Sequence, residues 1–73
     1  MPDKMPSLTP RQVAAALERA GFVRVRQTGS HAQYRKGNLT VTVPMHARDL
    51  RRGTLASIIR QARMTPEEFA KFL

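Results

Sequence analysis

The sequence contains no cysteine and only five acidic residues among its 73. Without cysteine there is no disulfide, no thiolate metal ligand and no thiol nucleophile. The lack suits a reducing cytoplasm. An unstapled chain of this length must fold on one modest core. Its 41% hydrophobic content supplies that core and argues against wholesale disorder. No apolar run approaches the roughly 20 residues that span a bilayer. Residues 1–7 lack the apolar stretch of a secretory signal. Neither a Walker loop nor G-x-G-x-x-G occurs, which excludes nucleotide sites built on those loops.

The shortage of acid leaves a surplus of base. Thirteen Lys and Arg give a net charge of +8, and ten of them are Arg. The planar guanidinium matches phosphate as a fork, so a polyanion is the expected partner, or an acidic protein that imitates one.

Residues 1–8, with Pro2 and Pro6, are expected to form a disordered lead-in, and residues 9–73 a single domain. Thr9-Pro10-Arg11-Gln12 opens a helix with a capping box and Pro at the first helical position. Val13, Ala16, Leu17 and Ala20 follow at helical spacing, and Gly21 stops it. Three alternating runs come next, Phe22 to Gln27, His31 to Arg35 and Leu39 to Val43. Thr28-Gly29-Ser30 and Lys36-Gly37-Asn38 are the turns between them, and Pro44 ends the last run. Thr54 is expected to cap a second helix carrying Leu55, Ile58, Ile59 and Ala62. Thr65 with Glu68 boxes a short third helix that presents Phe69, Phe72 and Leu73.

The order α-β-β-β-α, plus a short C-terminal helix, predicts an α+β fold: a three-stranded antiparallel sheet with helices on one face. This is the architecture of a double-stranded-RNA-binding domain. Strict alternation would bury Val23, Val25, Ala32, Tyr34, Leu39, Val41 and Val43 beneath the helices. The other face would carry Arg24, Arg26, His31, Gln33, Arg35, Thr40 and Thr42.

That face holds one imidazole among guanidiniums. A neutral imidazole can take the proton of an RNA 2′-hydroxyl. The freed oxygen would attack the adjacent phosphorus and leave a cyclic phosphate, with no metal or other cofactor required. Arg side chains and the Gly29 and Ser30 amides could hold the phosphate as its charge grows. On residues alone, a second reading of His31 stands, a turn histidine bonding locally. His46 is a candidate second acid–base group, or a ring that packs the connection after Pro44. Lys36, Arg48, Arg51 and Arg52 are candidate phosphate contacts or simply a solvated surface. Two His without Cys, and with only Asp49 close by, make a poor zinc set.

Five stretches, taken in order, resemble the HicA toxins of bacterial and archaeal HicA–HicB pairs. They are Gly21-Phe22, Gly29-Ser30-His31, Val43-Pro44-Met45-His46, Gly53-Thr54-Leu55 with Ile58 and Ile59, and Glu68-Phe69. The resemblance covers about residues 9 to 73. It implies a double-stranded-RNA-binding-domain-like fold and an mRNA interferase, an endoribonuclease whose substrate is mRNA. It also implies catalysis by the His of Gly-Ser-His, here His31, and a HicB-like antitoxin that covers the site. Many relatives place a second His after that motif, where this chain has Ala32. Two other readings use the same features. One is a non-catalytic RNA-binding module; the other is a DNA-binding regulator using the helix from Leu55 to Ala62 with Arg60 and Arg63.

Overall fold

A computed structural model describes residues 7–45 and 48–73, so His46 and most of the lead-in lie outside the described residues. The elements are α1 (Pro10–Arg19), β1 (Val23–Thr28), β2 (His31–Lys36), β3 (Leu39–Pro44), α2 (Arg52–Gln61) and α3 (Pro66–Ala70). The strands form one antiparallel sheet in the order β1-β2-β3.

Local chemistry sets the helix ends. At α1, Gln12 N–H donates to Thr9 Oγ1 at 3.2 Å, and Thr9 N–H donates to Gln12 Oε1 at 2.9 Å. Two N-terminal amide groups are thereby satisfied reciprocally. The helix ends on Gly21 at φ +104°, with Phe22 N–H donating to Leu17 O at 2.9 Å. That 6→1 bond satisfies an end carbonyl and turns the chain toward the sheet. Thr65 and Glu68 repeat the capping box at α3. The second helix departs from expectation. It starts at Arg52, its N-cap Arg51 makes no side-chain cap, and Thr54 sits inside the first turn instead of capping it. The connection before it is anchored by Leu50, which is buried and whose N–H donates to Leu8 O at 2.8 Å. Leu8, placed by sequence with the lead-in, is itself buried.

The core is a single cluster between the helices and one sheet face. Val13, Ala16 and Leu17 of α1 meet Ala32, Val41 and Val43 of the sheet, with Ile58 and Phe69 closing the other side. Burying a side chain of Val, Leu or Phe size stabilises by about 1.5–3 kcal/mol. The expected stripes of α1 and α2 are therefore the ones that bury, and Ala32, Tyr34, Val41 and Val43 are core as expected.

Strand β1 is different. All six of its residues are exposed, with Val23 at 62% and Val25 at 55%. Both valines were expected in the core. The cause is a β-bulge: Arg24 pairs with Tyr34 and Arg26 with the adjacent Gln33, leaving Val25 as the extra residue. One extra residue reverses the side-chain parity of everything before it. Val23 thus pairs with Arg35 on the open face, and Arg24 moves to the helix side opposite Tyr34. The helices together pack mainly over β3, and the side chains of β1 are exposed on both of its faces.

Candidate functional site

The pairing register lays the open face out as three rows. Thr28, His31 and Pro44 form the first, Arg26, Gln33 and Thr42 the second, and Val23, Arg35 and Thr40 the third. Two cations and no carboxylate stand on these nine positions.

His31 is the first residue of β2, directly after the two-residue Gly29-Ser30 loop, and its side chain is exposed. Gly29 has φ +58°, which fits the first central position of a II′ hairpin turn. A Cβ there would meet nothing within 4 Å. The demand for glycine is therefore conformational, not steric. The turn is braced from two sides. Gln27 Nε2 donates to Gly29 O at 3.4 Å, and Met45 N–H donates to Ser30 O at 2.6 Å. The second contact ties the chain leaving β3 to the turn that presents His31.

Distances along the sheet rank the cations. Arg26 pairs with Gln33, one position diagonal to His31. Diagonal neighbours lie about 7–8 Å apart at Cα, within reach of an Arg side chain. Arg35 is four residues along β2 from His31, or about 13 Å at 3.3–3.4 Å per residue. Its Nε also donates to Gly37 O at 3.2 Å, at the β2–β3 turn. Arg26 can therefore reach a small anion held at His31, whereas Arg35 stands too far along the strand to share it. Gln33, half-buried, lies between Arg26 and Thr42 at the centre of the face.

Other residues singled out by sequence lie elsewhere. Arg24 is on the helix side, where its Nη1 donates to Gln27 Oε1 at 3.1 Å. Lys36 pairs with Leu39, and its Nζ donates to Ala20 O at 2.7 Å, 5.9 Å from the Phe22 ring centroid. It caps the end of α1. A groove of about 450 Å³ beside it is lined by Ala20, Phe22, Leu39, Arg63, Met64 and Phe72 among others, none of them on the open face. Arg48, Arg51 and Arg52 are exposed at the start of α2. Tyr34 is almost fully buried, and burial foremost, then the Glu18 charge, raises its phenol above the ordinary value while Arg24 opposes. Among the described residues no group of three or more His, Cys, Asp or Glu could hold a metal ion. What sequence reasoning missed is the bulge; a Val-Arg-Val-Arg run reads as unbroken alternation and carries no glycine to flag it.

Fold and face together define a class: an α+β domain of the double-stranded-RNA-binding-domain type, with a basic, imidazole-bearing sheet face left open. The family described as the HicA toxin of bacterial toxin–antitoxin systems matches residues 10–64, and the chain belongs to that family. A search of curated proteins finds no match to the chain. Among the described residues no helix is long and apolar enough to cross a membrane.

Proposed function

We propose that this chain is an mRNA interferase, a toxin that cleaves RNA without a metal ion and uses His31 as general base. The observation that carries the reading is the exposed imidazole on an acid-free sheet face, one diagonal step from Arg26. His31 takes the proton of a 2′-hydroxyl, and the 2′ oxygen attacks the adjacent phosphorus. The bond to the 5′ oxygen breaks, that oxygen takes a proton from solvent or from the imidazolium, and a 2′,3′-cyclic phosphate remains. Arg26 and the Gly29 and Ser30 amides balance the charge that grows on phosphorus oxygens, and Arg35 holds the next phosphate. Residues 9–73 act as one domain in the cytoplasm, where mRNA is, and a HicB-like antitoxin of acidic surface restrains it.

Purified protein and His31→Ala are compared on a labelled RNA. Loss of about 10²–10⁴-fold in rate is expected for a positioned base. Equal cleavage by both would remove His31 from the mechanism. No cleavage by either, with tight and salt-sensitive binding, would leave a non-catalytic RNA-binding module. The DNA reading has less support, because α2 buries Leu55, Ile58 and Ile59 in the core.

A further inference from the structure

A three-stranded sheet has two outer edges, and unpaired edge strands invite another chain. Here the two edges differ. At β3, Thr42 N–H donates to Gln61 Oε1 of α2 at 3.1 Å, and Gln61 is steadied by its bond to Ser57 Oγ at 3.1 Å. A helix side chain thus takes an outward donor at the middle of that edge. At β1 no described strand lies beyond, and both faces of the strand are exposed.

The chemistry of β1 selects its occupant. Its charges are Arg24 and Arg26, with no acid on the strand. A second copy pairing there would bring two more arginines to a strand that has no acid to offset them. Arg24 donates to the neutral Gln27 amide, a bond that leaves its charge unmatched. Val23 and Val25 are the two most exposed large hydrophobics among the described residues. A phosphate backbone supplies acceptors, but it neither covers valines nor offers the alternating donors that a strand's outward carbonyls need. An extended peptide bearing carboxylates supplies all three.

We propose that β1 receives an extended, acidic segment of a partner protein as a fourth strand of the sheet. Such a strand would lie about 4.8 Å beyond β1, and so about 10 Å from β2. Its open-face side chains would stand beside Arg26 and Thr28, across the approach to His31. Naming that partner the antitoxin rests on the functional reading above; the chemistry of the edge does not.

The test uses the full chain, ¹⁵N-labelled, with a ten-residue peptide alternating Glu and Val. Amide exchange slowed in β1 and unchanged in β3 is expected. A peptide with Lys in place of Glu should not bind, and Arg24→Gln should weaken the Glu peptide about two- to fivefold. Four results would each overturn the proposal. One is no slowing at β1 with millimolar peptide, and another is equal binding of the Lys peptide. The third is concentration-dependent slowing at β1 without peptide, which gives the edge to a second copy. The fourth is an unchanged affinity for the Glu peptide in Arg24→Gln, which takes the edge arginine out of the docking. None of these measurements reads cleavage, so the ribonuclease reading stands or falls separately.

Discussion

The register predicts that two arginines on one face have different kinetic signatures. Arg26 is a diagonal neighbour of His31 through its pairing with Gln33, whereas Arg35 is four residues along β2 and turned toward Gly37 O. Removing one donor from a developing oxyanion costs about 10²–10³-fold in enclosed sites. This face is open to water, where a charge is worth less. Arg26→Ala is therefore expected to lower kcat about ten- to a hundredfold with little change in KM. Arg35→Ala should leave kcat within about twofold and raise KM several-fold, with a shallower salt dependence because one phosphate contact is lost. Both side chains are exposed, so both variants should keep stability within about 0.5 kcal/mol. Single-turnover cleavage of a fluorescent RNA, with thermal melts as the folding control, separates the effects. If Arg35→Ala lowers kcat as much as Arg26→Ala does, the register-based assignment of phosphates is wrong.

Three further predictions concern the scaffold. Gly29→Ala forces an L side chain to φ +58°, a cost of about 1–2 kcal/mol. It should lower Tm by at least about 4–8 °C; an unchanged melt would contradict the turn geometry. Arg63 holds φ +59° after α2, where Met64 N–H donates to Ile59 O at 3.1 Å. Arg63→Gly is thus expected to gain about 0.5–1 kcal/mol in urea unfolding, and a loss would show that the arginine side chain stabilises the end by another route. Tyr34 has its phenol raised above 10.0 by burial, so the folded state holds that proton more tightly than the unfolded chain. Its contribution to stability is full below pH 10 and falls as pH rises through that value toward the folded one. Tyr34→Phe should therefore lose less stability than the wild type between pH 8 and pH 11, and equal losses in both would refute the effect.

Local signals carried most of the architecture. The capping residues Thr9 and Thr65, the stop at Gly21 and the clean alternation of Leu39 to Val43 each act within a few residues, and each predicts what is found. What was not legible depends on distant partners. The bulge at Val25 is what lets β1 hold Arg24 opposite Tyr34 and Thr28 opposite His31 at once. No window of β1 alone contains that constraint. The same holds for Lys36, whose role follows from the nearness of Ala20 O, 16 residues away in sequence. His31 escaped this error because it lies on β2, where alternation runs unbroken against β3 from His31↔Pro44 to Lys36↔Leu39.

The bulge also bears on how so small a protein makes a site. Helices that pack mainly over β3 leave the other side of the sheet bare. Unbroken alternation back from the hairpin would set Arg24, Arg26 and Thr28 together on that bare face. The two-residue Gly29-Ser30 loop sets Thr28 opposite His31, and alternation from there sets Arg26 opposite Gln33, so both stand on the rows nearest His31, while the bulge acts only on the residues before Arg26. Val23 is moved to the far row and Val25 is left out of the pairing altogether. The parity change therefore turns Arg24 to the helix side and Val23 onto the far row, leaving Arg26 as the β1 cation that the hairpin register sets beside the imidazole. Inserting one residue between Gln27 and Thr28 would test this. Gln27 would then replace Arg26 opposite Gln33, and cleavage is expected to fall as far as it does in Arg26→Ala while the helices and their core stay intact. Retained activity in a folded variant of that kind would show that the cation beside His31 is supplied from another part of the chain.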